Sequence, residues 1–293
     1  MRIREARGFG LAIALAIVLV PPRETIVAQR TASSAVKVSG EGTDTWVLIT
    51  GVIGSVAGYR KLESRLQQLG KRVVIIDPYL LSLDSGDVSF DALARRTDAI
   101  LAAHDVRSAH VVGHAHGGAV AIRLAANAPD RVSELFLLNV GAIADNHSPV
   151  FASSMRFVPL ITRLPRGRDY VRRKIIAGIR ENSGRADWLD EHAASAYADP
   201  ILDNIHRVIA MAHRLTKATE PEPLSRVVGR IHVPVTMILG ALSCPASPGK
   251  EELAALEPLG SLVRTYRVPG TCHFPHEEAP AEVMQQLLLS RSS

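Results

Sequence analysis

One turn restricts this 293-residue chain more than any other feature of it. His110 to Val112 is a short apolar strand segment that runs without a break into Gly113-His114-Ala115-His116-Gly117-Gly118. The small, apolar stretch Ala119 to Asn127 then follows with the character of a helix buried against a sheet. A strand that turns this sharply into a helix brings backbone against backbone, and the glycines on either side relieve the crowding. Such a turn lifts the side chain at 115 clear of the strand end.

The rest of the chain supplies strands and helices in alternation, which implies a mostly parallel sheet covered by helices on both faces. Strands are expected at Trp46–Thr50, Val73–Ile76, Leu135–Leu138, Val235–Leu239 and Leu262–Val268, and helices over 59–69, 90–104 and 281–289. From about Asp145 to Arg230 the strand pattern stops. Helical, Arg-rich segments take over, including Tyr170–Arg180 and Ile201–Leu215. The expected organisation is a core of residues 45–144 and 231–293, a helical cap of residues 145–230 inserted before the last strands, and a linker over 29–44.

In this setting HVVGHAHGGAVAIRLAANAPDRV resembles the α/β-hydrolase superfamily, whose strand ends in Gly-His-Ser-x-Gly-Gly before a helix and an Ala-x-x-Pro-Asp-x-Val turn. Near the C-terminus, Gly270-Thr271-Cys272-His273-Phe274-Pro275 with Glu278-Ala279-Pro280 resembles that family's histidine loop. The resemblance spans Trp46 to Leu289 and implies a doubly wound α/β sheet of the hydrolase type. It makes His273 the general base. It also places a backbone oxyanion hole around Gly51 and Val52 and around His114, His116 and Gly117, with the His116 N–H as one donor.

The chain departs from the family where the chemistry is done. Ala115 occupies the nucleophile position and has no nucleophilic atom. The strand Val235–Leu239 leads to Gly240-Ala241-Leu242-Ser243, so alignment puts Ser243 where the family carries the acid. A hydroxyl there can accept from the imidazole but cannot stabilise an imidazolium by charge. Asn139, at the end of the strand before the cap, and Asp145 further on are the other places from which a third group could come. The reading for each is a strand-end hydrogen-bonding residue and the start of the cap loop. Thr50-Gly51 replaces the usual His-Gly, and Asp77-Pro78-Tyr79-Leu80-Leu81-Ser82 lacks the two glycines that normally follow the aspartate. Several motif positions have drifted together, which favours a naturally altered site over a single substitution.

The functional expectation is therefore a pseudo-hydrolase that keeps the pocket between sheet and cap for an apolar or acyl-type ligand, or for a protein partner. Two catalytic alternatives stand beside it: a serine ester hydrolase altered at 115, and a lyase or proton-transfer enzyme relying on His273. Neither a cofactor nor a metal is implied, since Cys244 and Cys272 offer no zinc-ligand spacing.

Arg2, Arg4 and Arg7 precede an apolar run over residues 8–20, as in an export signal or an uncleaved N-terminal anchor, and either places the domain outside the cytoplasm. Cleavage after Ala28 would leave 30 basic against 27 acidic residues, in place of a formal charge of +5. That balance, with 4% aromatic residues, excludes a dedicated nucleic-acid binder. In the implied fold the loops bearing Cys244 and Cys272 meet at adjacent strand ends, so the two either form a disulfide or remain separate buried thiols. The cap residues Arg163, Arg166, Arg168, Arg172, Arg173, Lys174 and Arg180 alternate with apolar ones. They read as a solvated face or as a contact with anionic lipid, membrane contact otherwise falling to the N-terminal segment.

Overall fold

A computed structural model describes residues 35–52, 54–140 and 157–289; the export segment and Asp145 lie outside them. Seven strands form one sheet: β1 (Val36–Ser39), β2 (Thr45–Ile49), β3 (Arg72–Ile76), β4 (Ala109–His114), β5 (Val132–Leu138), β6 (Val235–Gly240) and β7 (Val263–Val268). Their order is β1-β3-β2-β4-β5-β6-β7. Every pairing is parallel except β1 with β3.

Side-chain alternation in the strands explains the two helical layers. Val47 and Ile49 of β2, Val74 and Ile76 of β3, and Leu135 and Leu137 of β5 point to one face, where they pack on α2 (Phe90–Ala103) and α3 (His116–Asn127). Trp46, Leu48, Val73, Ile75, Val112, Phe136 and Leu138 point to the other, against α1 (Arg60–Gln68) and, at the chain's end, α7 (Pro280–Leu289). Because both faces are covered, the central strands read as continuous apolar runs rather than alternating ones.

The expected linker over 29–44 requires correction, since Val36–Ser39 within it is an edge strand. Its sequence, VKVS, leaves the middle two residues exposed, and the backbone ladder to β3 holds it in place. A short, half-solvated edge strand carries too little apolar pattern to stand out from a polar linker.

Between β5 and β6, in the segment read as a cap, the described residues form helices, with α4 (Gly167–Glu181), α5 (Glu191–Asp203) and α6 (Ile205–Leu215) the longest. The helix expected over Ile201–Leu215 is two helices. α5 runs through Pro200 to Asp203, and Asn204 breaks the path at φ −116° and ψ 20° before α6 begins.

Buried ions tie the cap to the core. Glu277, whose side chain is 0% exposed, accepts from Arg60 of α1 at 2.6 Å and from the Tyr197 hydroxyl of α5 at 3.4 Å, and Lys61 lies 3.3 Å from it. Glu220, after α6, receives the Arg123 Nε–H of α3 at 2.9 Å and the Phe90 and Asp91 N–H groups that open α2.

Cys244 and Cys272 form a disulfide, with Cα atoms 6.3 Å apart, that joins the loop after β6 to the loop after β7. The bridge closes a loop of sequence separation 28, so its removal should cost about 3–4 kcal/mol through unfolded-chain entropy. The expected outcome for Cys244→Ser with Cys272→Ser is an unfolding free energy lower by that amount in urea titration. An unchanged midpoint would show that the loops are held without it.

Candidate functional site

The elbow is present with its backbone geometry complete. Ala115 sits between β4 and α3 at φ 50° and ψ −124°, a conformation that L-residues rarely adopt and that costs of order 1–3 kcal/mol. Its N–H bonds to the Leu138 carbonyl at 3.0 Å, and its carbonyl accepts from Gly118 at 2.8 Å. Gly113 is required here, because a Cβ on it would come within 2.6 Å of the Gly117 carbonyl oxygen and the Gly118 Cα. A Cβ on Gly117 would meet the Ile49 and Thr50 carbonyls at 2.5 Å.

Of the residues expected to form an oxyanion hole, Gly51 and His116 lie at this turn. Gly51, just after β2, lies against the elbow, where a Cβ would stand 3.4 Å from that of Ala115 and 3.2 Å from the His114 carbonyl oxygen. Val52 follows it, half-buried against the core. The His116 N–H opens the first turn of α3 and has no intrahelical acceptor. The His116 ring tilts against Phe90 at 5.9 Å, and its Nε2 is buried without a hydrogen-bond partner.

His273 is fixed from several sides. Its N–H bonds to the Asn182 carbonyl of the cap at 3.0 Å, and its own carbonyl accepts from His114 Nε2 at 2.8 Å. Glu278 organises the loop around it. One carboxylate oxygen accepts from the Cys272 and Phe274 N–H groups, and the other from Gly184 and Arg185 after α4. Four backbone donors on one carboxylate bind the histidine loop to the cap.

The residue that stands beside the His273 ring is Asn139, and Ser243 makes no contact with it among the described hydrogen bonds. Asn139 follows β5 at φ 42°, and its Nδ2 lies 2.8 Å from His273 Nδ1. Ser243 is exposed in the loop after β6. The Leu242 N–H there bonds to the Thr271 carbonyl, and the neighbouring Cys244 is pinned by the disulfide. The signal for Asn139 was a polar residue closing an apolar strand, of a type that tolerates positive φ.

Burial favours the neutral form of the histidines around the site. It pushes His114 and His116 each down to about 4, and for His114 the bond to the His273 carbonyl opposes the shift. His273 and His276 are also driven well below the ordinary histidine value, by burial first and then by their imidazole neighbours. Asp77, which closes β3 and caps the short helix Pro78–Leu81, moves the other way. Burial raises it to about 7 against the N–H groups of Leu80 and Tyr79. It lines a cleft of about 540 Å³ with Ser55, Val56, Leu80 and, from α5, His192 and Ser195; neither Ala115 nor His273 is among the described residues lining it. Among the described residues no group of three His, Cys, Asp or Glu side chains could hold a metal ion.

The sheet order, the elbow and the histidine loop together define the class. The chain has the α/β-hydrolase fold. A family profile described as "alpha/beta hydrolase fold" matches residues 46–174. Among curated proteins the chain is similar to the mouse sn-1-specific diacylglycerol lipase ABHD11, 23% identical over 261 residues that cover 81% of this chain and 78% of the relative. Among solved structures it is similar to an alpha/beta hydrolase fold protein from Burkholderia ambifaria, with TM-score 0.66, 22% identity and coverage of 86% and 92% of the two chains. It is also similar to a thermophilic esterase from Thermogutta terrifontis, with TM-score 0.65, 18% identity and coverage of 88% and 92%.

His114 carries a pH prediction. Its folded value lies below its unfolded one, so the unfolded chain binds the extra proton. Its stabilising contribution is full above about pH 6.5 and is lost as pH falls towards 4, on the order of 3 kcal/mol in all. Urea titrations between pH 7.5 and 4 should show a shallower loss of stability for His114→Gln, whose amide can still donate to the His273 carbonyl, than for the wild type. Parallel curves would refute the assignment.

Proposed function

We propose that this protein is a non-catalytic member of the α/β-hydrolase superfamily that binds an apolar or acyl-type ligand at the elbow without forming an acyl-enzyme. The observation that carries the reading is Ala115, which keeps the strained elbow conformation while lacking the atom that would attack a carbonyl. The strain at 115 is maintained together with the crowded glycines and the pinned histidine loop, so the backbone architecture of the elbow persists apart from the nucleophile. Asn139 beside His273 supports the same reading, because a neutral amide cannot stabilise the imidazolium that acyl transfer requires. The Arg-led apolar run at residues 8–20, together with a disulfide, supports placement outside the cytoplasm.

A fluorophosphonate probe and a series of p-nitrophenyl esters test the reading. The wild type should remain unlabelled and turn over esters no faster than its His273→Ala variant; covalent labelling, or turnover that depends on His273, would overturn it. Ala115→Ser alone should stay about four orders of magnitude below Ala115→Ser with Asn139→Asp, because the serine needs a base in the correct tautomer as well as a hydroxyl. Equal activity of the single and double variants would show that Asn139 is not the missing acid.

A further inference from the structure

We infer that Asn139 holds His273 as the tautomer protonated on Nε2, so that the imidazole offers the elbow a hydrogen-bond donor in place of a base and the site takes an uncharged ligand by a carbonyl oxygen. This deepens the non-catalytic reading above and rests on it for the presence of a ligand. The tautomer itself rests on hydrogen-bond geometry alone.

The orientation of the Asn139 amide decides the matter. Its Oδ1 lies 3.2 Å from the Gly240 N–H, a group that can only donate. Its Nδ2 lies 3.3 Å from the Ala246 carbonyl oxygen, a group that can only accept. Turning the amide over would set nitrogen against N–H and oxygen against oxygen, losing two bonds while only reversing the one to His273. With the amide so fixed, the second Nδ2 hydrogen points to His273 Nδ1 at 2.8 Å, which must then accept. A proton on Nδ1, shared with the Ala246 carbonyl, would face the Asn139 N–H at that distance. The proton therefore resides on Nε2, for which no partner is found among the described residues, on a ring that is half-buried and not sealed.

In an active triad the carboxylate accepts from Nδ1–H and leaves Nε2 with its lone pair towards the nucleophile; here the polarity of the ring is reversed. The His116 N–H at the start of the twelve-residue α3 is a second neutral donor at the same turn. Among the described residues no Lys or Arg is hydrogen-bonded or ion-paired to the elbow. Arg60 and Lys61, whose charges reach His276, are held by Glu277 at 2.6 and 3.3 Å. A carboxylate would leave water for a site with no counter-charge among the described residues, whereas an ester, lactone or amide carbonyl needs no more than neutral donors.

The test has two arms on the intact protein. Nitrogen-15 NMR of the free wild type should show His273 with a protonated Nε2 and a bare Nδ1 at pH 7.5. Protonation on Nδ1 would overturn the tautomer assignment, and with it the proposal. Asn139→Asp should exchange the two nitrogens, while Asn139→Gln, if it folds, provides the neutral control. In the second arm methyl octanoate, octanoate and octyl methyl ether are titrated against the wild type. The ester should bind at least tenfold more tightly than either analogue, with the His273 Nε2–H resonance shifting on binding. Octanoate equal to or tighter than the ester, or no binding by any of the three, would overturn the ligand class. Turnover of the ester by His273 would instead sink the non-catalytic reading, which the tautomer measurement does not share.

Discussion

The structure turns on the contact between the end of β4 and the start of α3. Gly113 packs so closely on Gly117 and Gly118 that a single methyl group at 113 would collide with backbone. That approach forces residue 115 into a positive-φ turn, projects its side chain from the sheet end and leaves the first N–H groups of α3 without helical acceptors. The elbow is thus a consequence of backbone packing and does not depend on what residue 115 carries. An alanine can occupy it with the same hydrogen bonds to Leu138 and Gly118 that any other residue would make.

The histidine loop is anchored by different means, which explains how His273 keeps its place. The four N–H groups on Glu278, the Asn182 carbonyl and the His114 imidazole hold the loop's backbone, while the disulfide joins it to the loop after β6. None of these restraints acts through the His273 ring. The loop's backbone is therefore set by the scaffold, whereas the hydrogen bond to the ring itself comes from Asn139 at the end of β5.

That separation also shows what could be read in the sequence. The strands, the elbow and the histidine loop were legible because each combines an apolar run with glycines or a proline at a fixed offset, and these patterns reflect local sterics. β1 was not, because VKVS is held by its ladder and not by its side chains. The division between α5 and α6 was missed because a proline at 200 suggests a boundary at its own position, whereas the chain bends at Asn204. The choice between Asn139 and Ser243 could not be made locally at all. Both follow sheet strands, and which one meets the imidazole depends on how the loop after β6 is drawn back by the Leu242–Thr271 bond and the disulfide, leaving Ser243 in solvent.

The paired changes at 115 and 139 belong together on physical grounds. A serine, a histidine and an acid act as one unit, so losing either the nucleophile or the acid removes most of what losing both would remove. Once Ala115 is in place, an aspartate at 139 would be a buried anion beside a neutral imidazole that no longer has a proton to take up, near three other histidines already driven neutral by burial. An asparagine there satisfies the Gly240 N–H, the Ala246 carbonyl and His273 Nδ1 together with no charge to desolvate. Under the proposed non-catalytic reading, Asn139 is the residue that fits an elbow without a nucleophile, since it meets all three neighbours as a neutral hydrogen-bonding group.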